Sequence, residues 1–357
     1  MASYGLRDRD AIVSREGIIF RVYGYWHPPR GYVCDVEYAP STIYRSKDPR
    51  AIRVKESNTY FKFYEHDGLA FIENRFPQYR VYYEPIQEWL VGVGDDDIAS
   101  VSYPDVKLRC LLSKEPEDEL IRTLEEILNM ITSRSSLRTR NFGVFGSLLH
   151  GFYHPKYSDI DLTIIGRKEL HELLEVLEAI HHEEDGILVN EFEDPSRWSK
   201  RSWKFTKLTL DEYGWFQKRK LIYNIYTGKA SPRPIKIEFE PIKERGEIVN
   251  EYDSRMRIHR LGMVEAYGTV LDDSDGPYMP AVYGVELDTI LGLRVEDVRR
   301  IVSYVEEFRM QVREGERIHV VGNLERVSTP EESFHQIVLT YCPQYYNQVL
   351  KLVKREK

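Results

Sequence analysis

Two aspartates and a Gly-Ser pair, set between apolar runs, are the residues of this sequence best placed to do chemistry. Gly146-Ser147 ends one apolar run, and Asp159 and Asp161 precede and enter another. Two residues separated by one position on a strand point to the same face, so the two carboxylates lie together while Ile160 turns into a core. Such a pair repels itself unless a cation lies between its members, and a hard divalent ion such as Mg2+ suits oxygen ligands. The stretch therefore predicts a metal-binding reaction centre.

Helix and strand patterns surround this stretch on both sides. Apolar residues recur at helical spacing from Pro116 to Arg134 and from Lys168 to Glu184. Residues 187–192 predict a strand, and residues 221–241 predict a hairpin whose second strand carries two further glutamates on one face. These elements are the ones that must hold the aspartates in place.

The whole chain predicts a mixed α+β fold in three parts. Residues 1–112 are expected to form a β-rich N-terminal module, and residues 113–255 a catalytic domain with a mixed β-sheet. Residues 256–357 are expected to form a β-rich C-terminal module with one helix, over Val295–Val312. That module fits either a small barrel of the oligonucleotide-binding kind or a small α+β accessory domain.

A basic segment with interleaved aromatic residues lies between the second aspartate and the hairpin. Arg197, Lys200, Arg201 and Lys204 occur within residues 196–207 with no acid between them. Basic residues mixed with aromatic ones can bind phosphates while bases stack on the rings, which predicts contact with a nucleotide or a polyanion. The alternative is a solvated basic face whose aromatic side chains pack inward.

Composition limits the class of protein. The net charge of −8 over 357 residues disfavours a generally basic nucleic-acid binder, so any polyanion contact must use a local patch. No apolar run reaches the length of a membrane span, and the N-terminus does not resemble a signal peptide. Cys34, Cys110 and Cys342 are scattered, which predicts reduced thiols in a cytoplasmic protein.

The order of these motifs resembles the signature of the DNA polymerase beta-like nucleotidyltransferase superfamily. The resemblance rests on Phe145-Gly146-Ser147, then Gly151, then Ser158-Asp159-Ile160-Asp161-Leu162, and it covers about residues 115–242. The spacing from Gly146 to Asp159 is similar to that of archaeal tRNA CCA-adding enzymes. The whole chain looks like an uncharacterised archaeal group of predicted nucleotidyltransferases.

The resemblance implies a site for two metal ions, Mg2+ or Mn2+, and a nucleoside triphosphate as substrate. Asp159 and Asp161 would supply two of the three metal-binding carboxylates. Gly146 and Ser147 would present backbone N–H groups and a hydroxyl to the β- and γ-phosphates, where a side chain at the glycine would block their approach. The basic residues Arg197, Lys200, Arg201 and Lys204 would contact the phosphates of the nucleotide or acceptor.

The third carboxylate is expected on a later strand flanked by apolar residues. Glu238 matches best, since the CCA-adding enzymes have their acid three residues before a proline. Glu240 shares its face and Glu191 lies on the first strand after the helix, so both remain alternatives. A glutamate here departs from the family's more usual aspartate.

Three functions fit these residues. The first is metal-dependent transfer of a nucleotide from a triphosphate to an acceptor hydroxyl, expected to be on RNA, with release of pyrophosphate, an activity of the 2.7.7 type. The second is the same transfer to a small molecule or a protein hydroxyl. The third is a nucleic-acid-binding protein that keeps the fold without turnover. The sequence predicts no membrane partner and gives no oligomeric state.

Overall fold

The computed structural model describes residues 5–55, 57–64, 66–184, 186–200, 202–292, 295–341 and 344–353. Helices and several sheets are present in these residues, so the predicted mixed α+β class is confirmed. The chain divides into two compact units. The first contains the residues up to Tyr82, Trp89–Glu191 and Leu221–Asn250, and the second contains Tyr83–Glu88, Phe192–Lys220 and the residues from Glu251 onward. The three-part division expected from the sequence, with boundaries near residues 112 and 255, stays a prediction.

The helices and strands of the described residues are numbered in chain order. The helices are α1 (Asp67–Arg75), α2 (Pro104–Leu112), α3 (Glu119–Thr132), α4 (Gly146–His150), α5 (Arg167–His181) and α6 (Leu210–Arg219). The strands are β1 (Ala11–Ser14), β2 (Ile19–Val22), β3 (Gly31–Pro40), β4 (Ile52–Lys55), β5 (Asn58–Lys62), β6 (Arg80–Tyr83), β7 (Glu88–Gly94), β8 (Ile98–Ser102), β9 (Phe142–Val144), β10 (Ile160–Ile165), β11 (Leu188–Asn190), β12 (Tyr223–Tyr226), β13 (Ile235–Ile242), β14 (Arg257–Asp275), β15 (Ala281–Leu291), β16 (Val298–Ser303), β17 (Arg317–Ser328), β18 (Ser333–Leu339) and β19 (Val349–Leu352).

A five-stranded mixed sheet of the first unit carries the aspartate pair. Its order is β11-β12-β13-β10-β9, in which β10 and β13 run parallel and the other neighbours antiparallel. The helix α5 packs against β10, β11 and β13, and α3 packs against α5. The helix α3 begins at Glu119 because the side chain of Asp118 accepts hydrogen bonds from the backbone N–H groups of Leu120 and Ile121.

An eight-stranded sheet forms most of the N-terminal part of the first unit. Its main path is β4-β5-β3-β2-β1-β8, and β7 pairs with both β3 and β6. The helices α1 and α2 also lie in this part, although the sequence predicted only strands. Both have nine residues, so each shows too few apolar positions for a clear helical period.

The sheet of the second unit closes on itself. Its strands follow the order β14-β15-β16-β18-β17, β17 pairs back with β14, and β19 adds to β17. The pair β16 and β18 is parallel, and the other pairs are antiparallel. Closure removes the unpaired edges of the five-stranded ring, as in a small barrel.

The helix predicted over Val295–Val312 is wrong. Val298–Ser303 form β16, and only a short 3-10 turn at Glu306–Phe308 follows. The apolar residues do fall at helical spacing, but Ile301 and Val302 are β-branched, consecutive and fully buried. Pairing of β16 with β15 and β18 on its two sides determined the outcome, because a short apolar run fits both periods.

Among the helices of the described residues, none is long and apolar enough to cross a membrane.

Candidate active site

Asp161 and Glu238 are direct neighbours on two adjacent strands. The parallel register of β10 and β13 sets Asp161 opposite Glu238. Paired residues of neighbouring strands project from the same face, so their carboxyl groups share one side of the sheet. Asp159 directly precedes β10. Desolvation raises the pKa of Asp159, and the positive charge of Lys236, on β13, opposes this rise. The structure therefore brings both predicted aspartates and the predicted glutamate to one face.

Gly146 lies against the carboxylate of Asp161. Its φ is +58°, and a Cβ added there would stand 2.4 Å from Oδ2 of Asp161. The backbone N–H of Phe145 donates to the carbonyl oxygen of Asp161 at 3.0 Å. Only glycine satisfies both the left-handed backbone and this close approach. Ser147 follows as a half-buried residue in the first turn of α4.

The surroundings of the carboxyl groups on this face disfavour their ionised forms. Burial and then the charge of Asp159 raise the pKa of Asp161 to about 7. Burial, the charge of Glu240 and a hydrogen bond with Glu240 raise the pKa of Glu238 well above its ordinary value. A nearby cation would favour the ionised forms, and carboxylate oxygens are the ligands that Mg2+ and Mn2+ prefer.

The donor chemistry of this face thus fits a hard divalent ion. In the part of the chain that the structure describes, no three His, Cys, Asp or Glu side chains are grouped closely enough to hold a metal ion. Metal binding by Asp159, Asp161 and Glu238 therefore stays a prediction.

Both alternatives to Glu238 are held by cations. Arg9 donates to Oε2 of Glu240 at 2.9 Å, and both side chains are at least nine-tenths buried. The ammonium group of Lys236 lies 3.2 Å from Oε2 of Glu191. The register with Asp161 favours Glu238 as the third carboxylate.

Three cations near the aspartates were missed in the sequence. Burial raises the pKa of both aspartates; the charges of Lys236 and Arg233 oppose this rise at Asp159, and that of Lys62, on β5, opposes it at Asp161. Arg233 donates to the carbonyl oxygens of Ser158 at 2.5 Å and Pro155 at 3.3 Å, which holds the approach to Asp159. Lys236 was detectable, since it lies two residues before Glu238 and therefore on the same face of β13. Lys62 gave no local signal because it lies on a remote strand.

An exposed aromatic residue also lies two positions before Asp159 in the chain. Tyr157 is 79% exposed, and its ring lies 4.7 Å from that of His154. The turn is closed by Ser158, whose N–H donates to the carbonyl oxygen of His154 and whose hydroxyl accepts from the His154 N–H. A large exposed ring held in a hydrogen-bonded turn can provide a stacking surface for a base.

The basic segment lies in the second unit, and its aromatic residues pack inward. Trp198 and Phe205 are buried, and the indole N–H of Trp203 donates to the carbonyl oxygen of Leu208 at 2.6 Å. Three of the residues predicted to contact phosphate have separate environments. Arg197 pairs with Asp194 at 3.5 Å, Lys200 is exposed and Lys204 lies over the ring of Tyr346 at 5.2 Å.

Arg201 lies outside the described residues. The rings of this segment are thus part of a core rather than a stacking surface, while the predicted phosphate contacts of its basic residues stay a prediction.

The cysteines have different environments. Cys34 is buried and Cys110 is exposed, and both are free thiols. Cys342 lies outside the described residues.

Comparison with known proteins agrees with this geometry. Residues 124–251 match the family model described as a nucleotidyltransferase domain. Over 353 residues the chain is 27% identical to the uncharacterized protein MJ1086 of Methanocaldococcus jannaschii. The alignment covers 97% of this chain and 99% of that protein. No solved structure matches the chain. Asp159, Asp161 and Glu238 all fall inside the range that is similar to a nucleotidyltransferase domain.

Proposed function

We propose that this protein is a metal-dependent nucleotidyltransferase that moves a nucleotide from a nucleoside triphosphate to an acceptor hydroxyl on RNA and releases pyrophosphate. The observation that carries the proposal is the contact of Gly146 with Asp161, beside the register pair of Asp161 and Glu238. The turn proposed to bind phosphate and two strand carboxylates thereby lie together inside the range that matches a nucleotidyltransferase domain.

Each residue of this face has a role in the proposed reaction. Gly146 and Ser147 bind the β- and γ-phosphates, and Asp159, Asp161 and Glu238 would hold two Mg2+ or Mn2+ ions. When bound, the ions supply positive charge for the developing negative charge and lower the pKa of the attacking hydroxyl. The acceptor oxygen forms a bond to the α-phosphorus, the bond to the bridging oxygen breaks, and the hydroxyl proton passes to a carboxylate oxygen of this face.

RNA is proposed as the acceptor on two grounds. The spacing from Gly146 to Asp159 is similar to that of tRNA CCA-adding enzymes, and the second unit holds a closed five-stranded sheet of the size that binds oligonucleotides in other proteins. The basic residues Arg197, Lys200 and Arg201 are proposed to add contacts to phosphate. Replacing all three with Gln should weaken RNA affinity and flatten its salt dependence, whereas unchanged binding would remove that role.

The test is transfer of labelled nucleotide. The purified protein is incubated with each α-labelled triphosphate, Mg2+ and a mixture of small RNAs, and extended RNA and released pyrophosphate are measured. Both products should be lost in the double variant Asp159→Ala, Asp161→Ala. A matched control is Glu175→Ala, Glu178→Ala, because both glutamates are exposed on α5.

The other outcomes separate the alternatives. Pyrophosphate release that depends on Asp159 and Asp161 but leaves RNA unextended would refute RNA as the acceptor and favour a small molecule or a protein hydroxyl. RNA binding without turnover under Mg2+ or Mn2+ would contradict the enzyme and favour a binding protein.

A further inference from the structure

The N-terminal sheet is packed directly onto α4, the helix that begins at Gly146. Tyr38 of β3 belongs to a buried apolar cluster with Leu149 of α4 and Phe152, and its ring centroid lies 5.1 Å from that of Phe152. His150, at the end of α4, lies 3.5 Å from the carboxylate of Glu37. Any basic residue on this face of the N-terminal sheet is therefore held close to the candidate active site.

Lys62 is the first such residue. It pairs with Tyr38 in the antiparallel register of β3 and β5, so its side chain leaves the sheet on the side that faces α4. Its ammonium group lies 5.8 Å from the ring of Tyr64. It is close enough to Asp161 to lower the pKa of that carboxyl group, against the rise caused by burial.

Lys55 is the second, at the other end of α4. Its Cε lies 3.7 Å from the position that a Cβ on Gly151 would take, so its stem lies over the residue that ends the helix. The five residues of α4 span roughly 7.5 Å at 1.5 Å each. Lys55 is thus about one helix length beyond the turn proposed to hold the triphosphate.

Two more lysines line a cavity beside Lys55. The cavity has a volume of about 240 Å3 and is lined by Lys107 and Lys114 together with Cys110 and Tyr153. Glu115 and Glu117 also line it, yet none of the three lysines pairs with a carboxylate of the described residues. Like charges held near one another without an ion pair are unfavourable unless an anion joins them.

Lys107 is the most constrained member of this group. It is half-buried, and burial followed by the charges of Lys55 and Lys114 lowers its pKa. Burial and neighbouring positive charges both disfavour the charged form of a lysine, and a bound anion would offset both effects. We name Lys62, Lys55, Lys107 and Lys114 the lysine tract.

We propose that the lysine tract binds the phosphate backbone of the RNA acceptor and leads its end to Asp161. The inference rests on the proposed function and adds the surface that receives the acceptor. A single triphosphate is already assigned to Gly146 and Ser147, and the tract extends from Asp161 to beyond the far end of α4. That length suits a ligand with several phosphates in a row rather than one more contact to the triphosphate.

The experiment measures binding of a fluorescent single-stranded RNA by anisotropy, without triphosphate, as a function of salt. The test variant is Lys55→Gln, Lys107→Gln and the matched control is Lys168→Gln, Lys229→Gln, whose lysines are exposed in the same unit. Loss of two phosphate contacts should reduce the slope of log K against log salt by about 1.4 and weaken binding about 25-fold at 0.1 M salt. The exposed single variant Lys55→Glu should weaken binding as well, without disturbing the half-buried Lys107.

The outcomes distinguish the inference from the function on which it rests. Wild-type affinity and salt slope in the test variants would overturn the lysine tract while leaving Asp161-dependent transfer intact. A higher KM for the triphosphate with unchanged RNA affinity would assign the tract to the triphosphate and overturn it as the acceptor surface. Failure of wild-type protein to transfer nucleotide would refute the proposed function, whatever the RNA affinity.

Cys110 gives an independent readout in the native chain. Its thiol is exposed and lines the same cavity as Lys107 and Lys114. Bound RNA should slow alkylation of Cys110 by iodoacetamide, measured by peptide mass spectrometry, and Lys55→Glu should remove this protection. Alkylation at the same rate with and without saturating RNA would place the RNA elsewhere.

Discussion

Replacing Gly146 with alanine should damage catalysis much more than it damages folding. The left-handed backbone at φ +58° costs an alanine about 1–2 kcal/mol of the free energy of unfolding. The new Cβ would stand 2.4 Å from Oδ2 of Asp161, whereas ordinary contact begins at 3.4 Å, so the carboxylate must move by about 1 Å. A misplacement of that size can reduce the rate of the chemical step about 100-fold.

Gly151→Ala is a matched control for this substitution. Gly151 also has a positive φ, +71°, but the nearest atom to an added Cβ is Cε of Lys55 at an ordinary 3.7 Å. Chemical denaturation should show a similar loss of stability in both variants. Single-turnover nucleotide transfer should fall about 100-fold only in Gly146→Ala. Equal transfer rates in the two variants would refute the idea that Gly146 positions Asp161.

Three further predictions follow from buried groups and from the exposed ring. Arg9→Met should lower the free energy of unfolding, measured by urea denaturation, by about 3–5 kcal/mol, because it leaves the buried carboxylate of Glu240 without its cation. Adding Glu240→Gln to this variant should recover part of the loss, and additive effects of the two substitutions would contradict the pairing. Burial lowers the pKa of His27 to about 4, so below pH 6.5 the unfolded chain binds a proton that the folded protein does not. The free energy of unfolding should therefore be highest above pH 6.5 and fall by about 3 kcal/mol as the pH drops from 6.5 to 4. A His27→Gln variant should lack that part of the acid loss, and an unchanged pH profile would refute the assignment. Tyr157→Ala should raise the KM for the triphosphate or the acceptor by about 5–150-fold, the equivalent of one lost base–ring stack, with little change in Tm; unchanged KM values would show that this ring binds no base.

Local patterns were sufficient for the elements that carry the site. The helices α3 and α5 were predicted because their apolar residues repeat at helical spacing, and in α3 that apolar stripe is buried together with Ile121 and Thr123. The strands β10 and β13 were predicted because polar and apolar residues alternate in them. The region Val295–Val312 shows the limit of this reasoning, because its short apolar run fitted two periods and the neighbouring strands selected one of them.

Only part of the candidate site could be predicted from the sequence, because some of its residues are brought together by strand pairing. Gly146, Asp159 and Asp161 lie within one short stretch, so their spacing is local information. The pairing of Asp161 with Glu238 depends on a strand register that no single segment determines. The charge of Lys62 acts on the pKa of Asp161 from a sheet formed by residues remote in sequence, and the basic segment suggested phosphate binding although its rings belong to a core.

The most direct test of the central claim is a crystal structure with a non-hydrolysable triphosphate and Mn2+. We expect anomalous density for Mn2+ beside the carboxylate oxygens of Asp159, Asp161 and Glu238, with the β- and γ-phosphates at Gly146 and Ser147. Anomalous density beside Glu191 or Glu240 instead of Glu238 would show that a different residue is the third metal-binding carboxylate. Triphosphate and metal bound away from Asp161 would contradict the account.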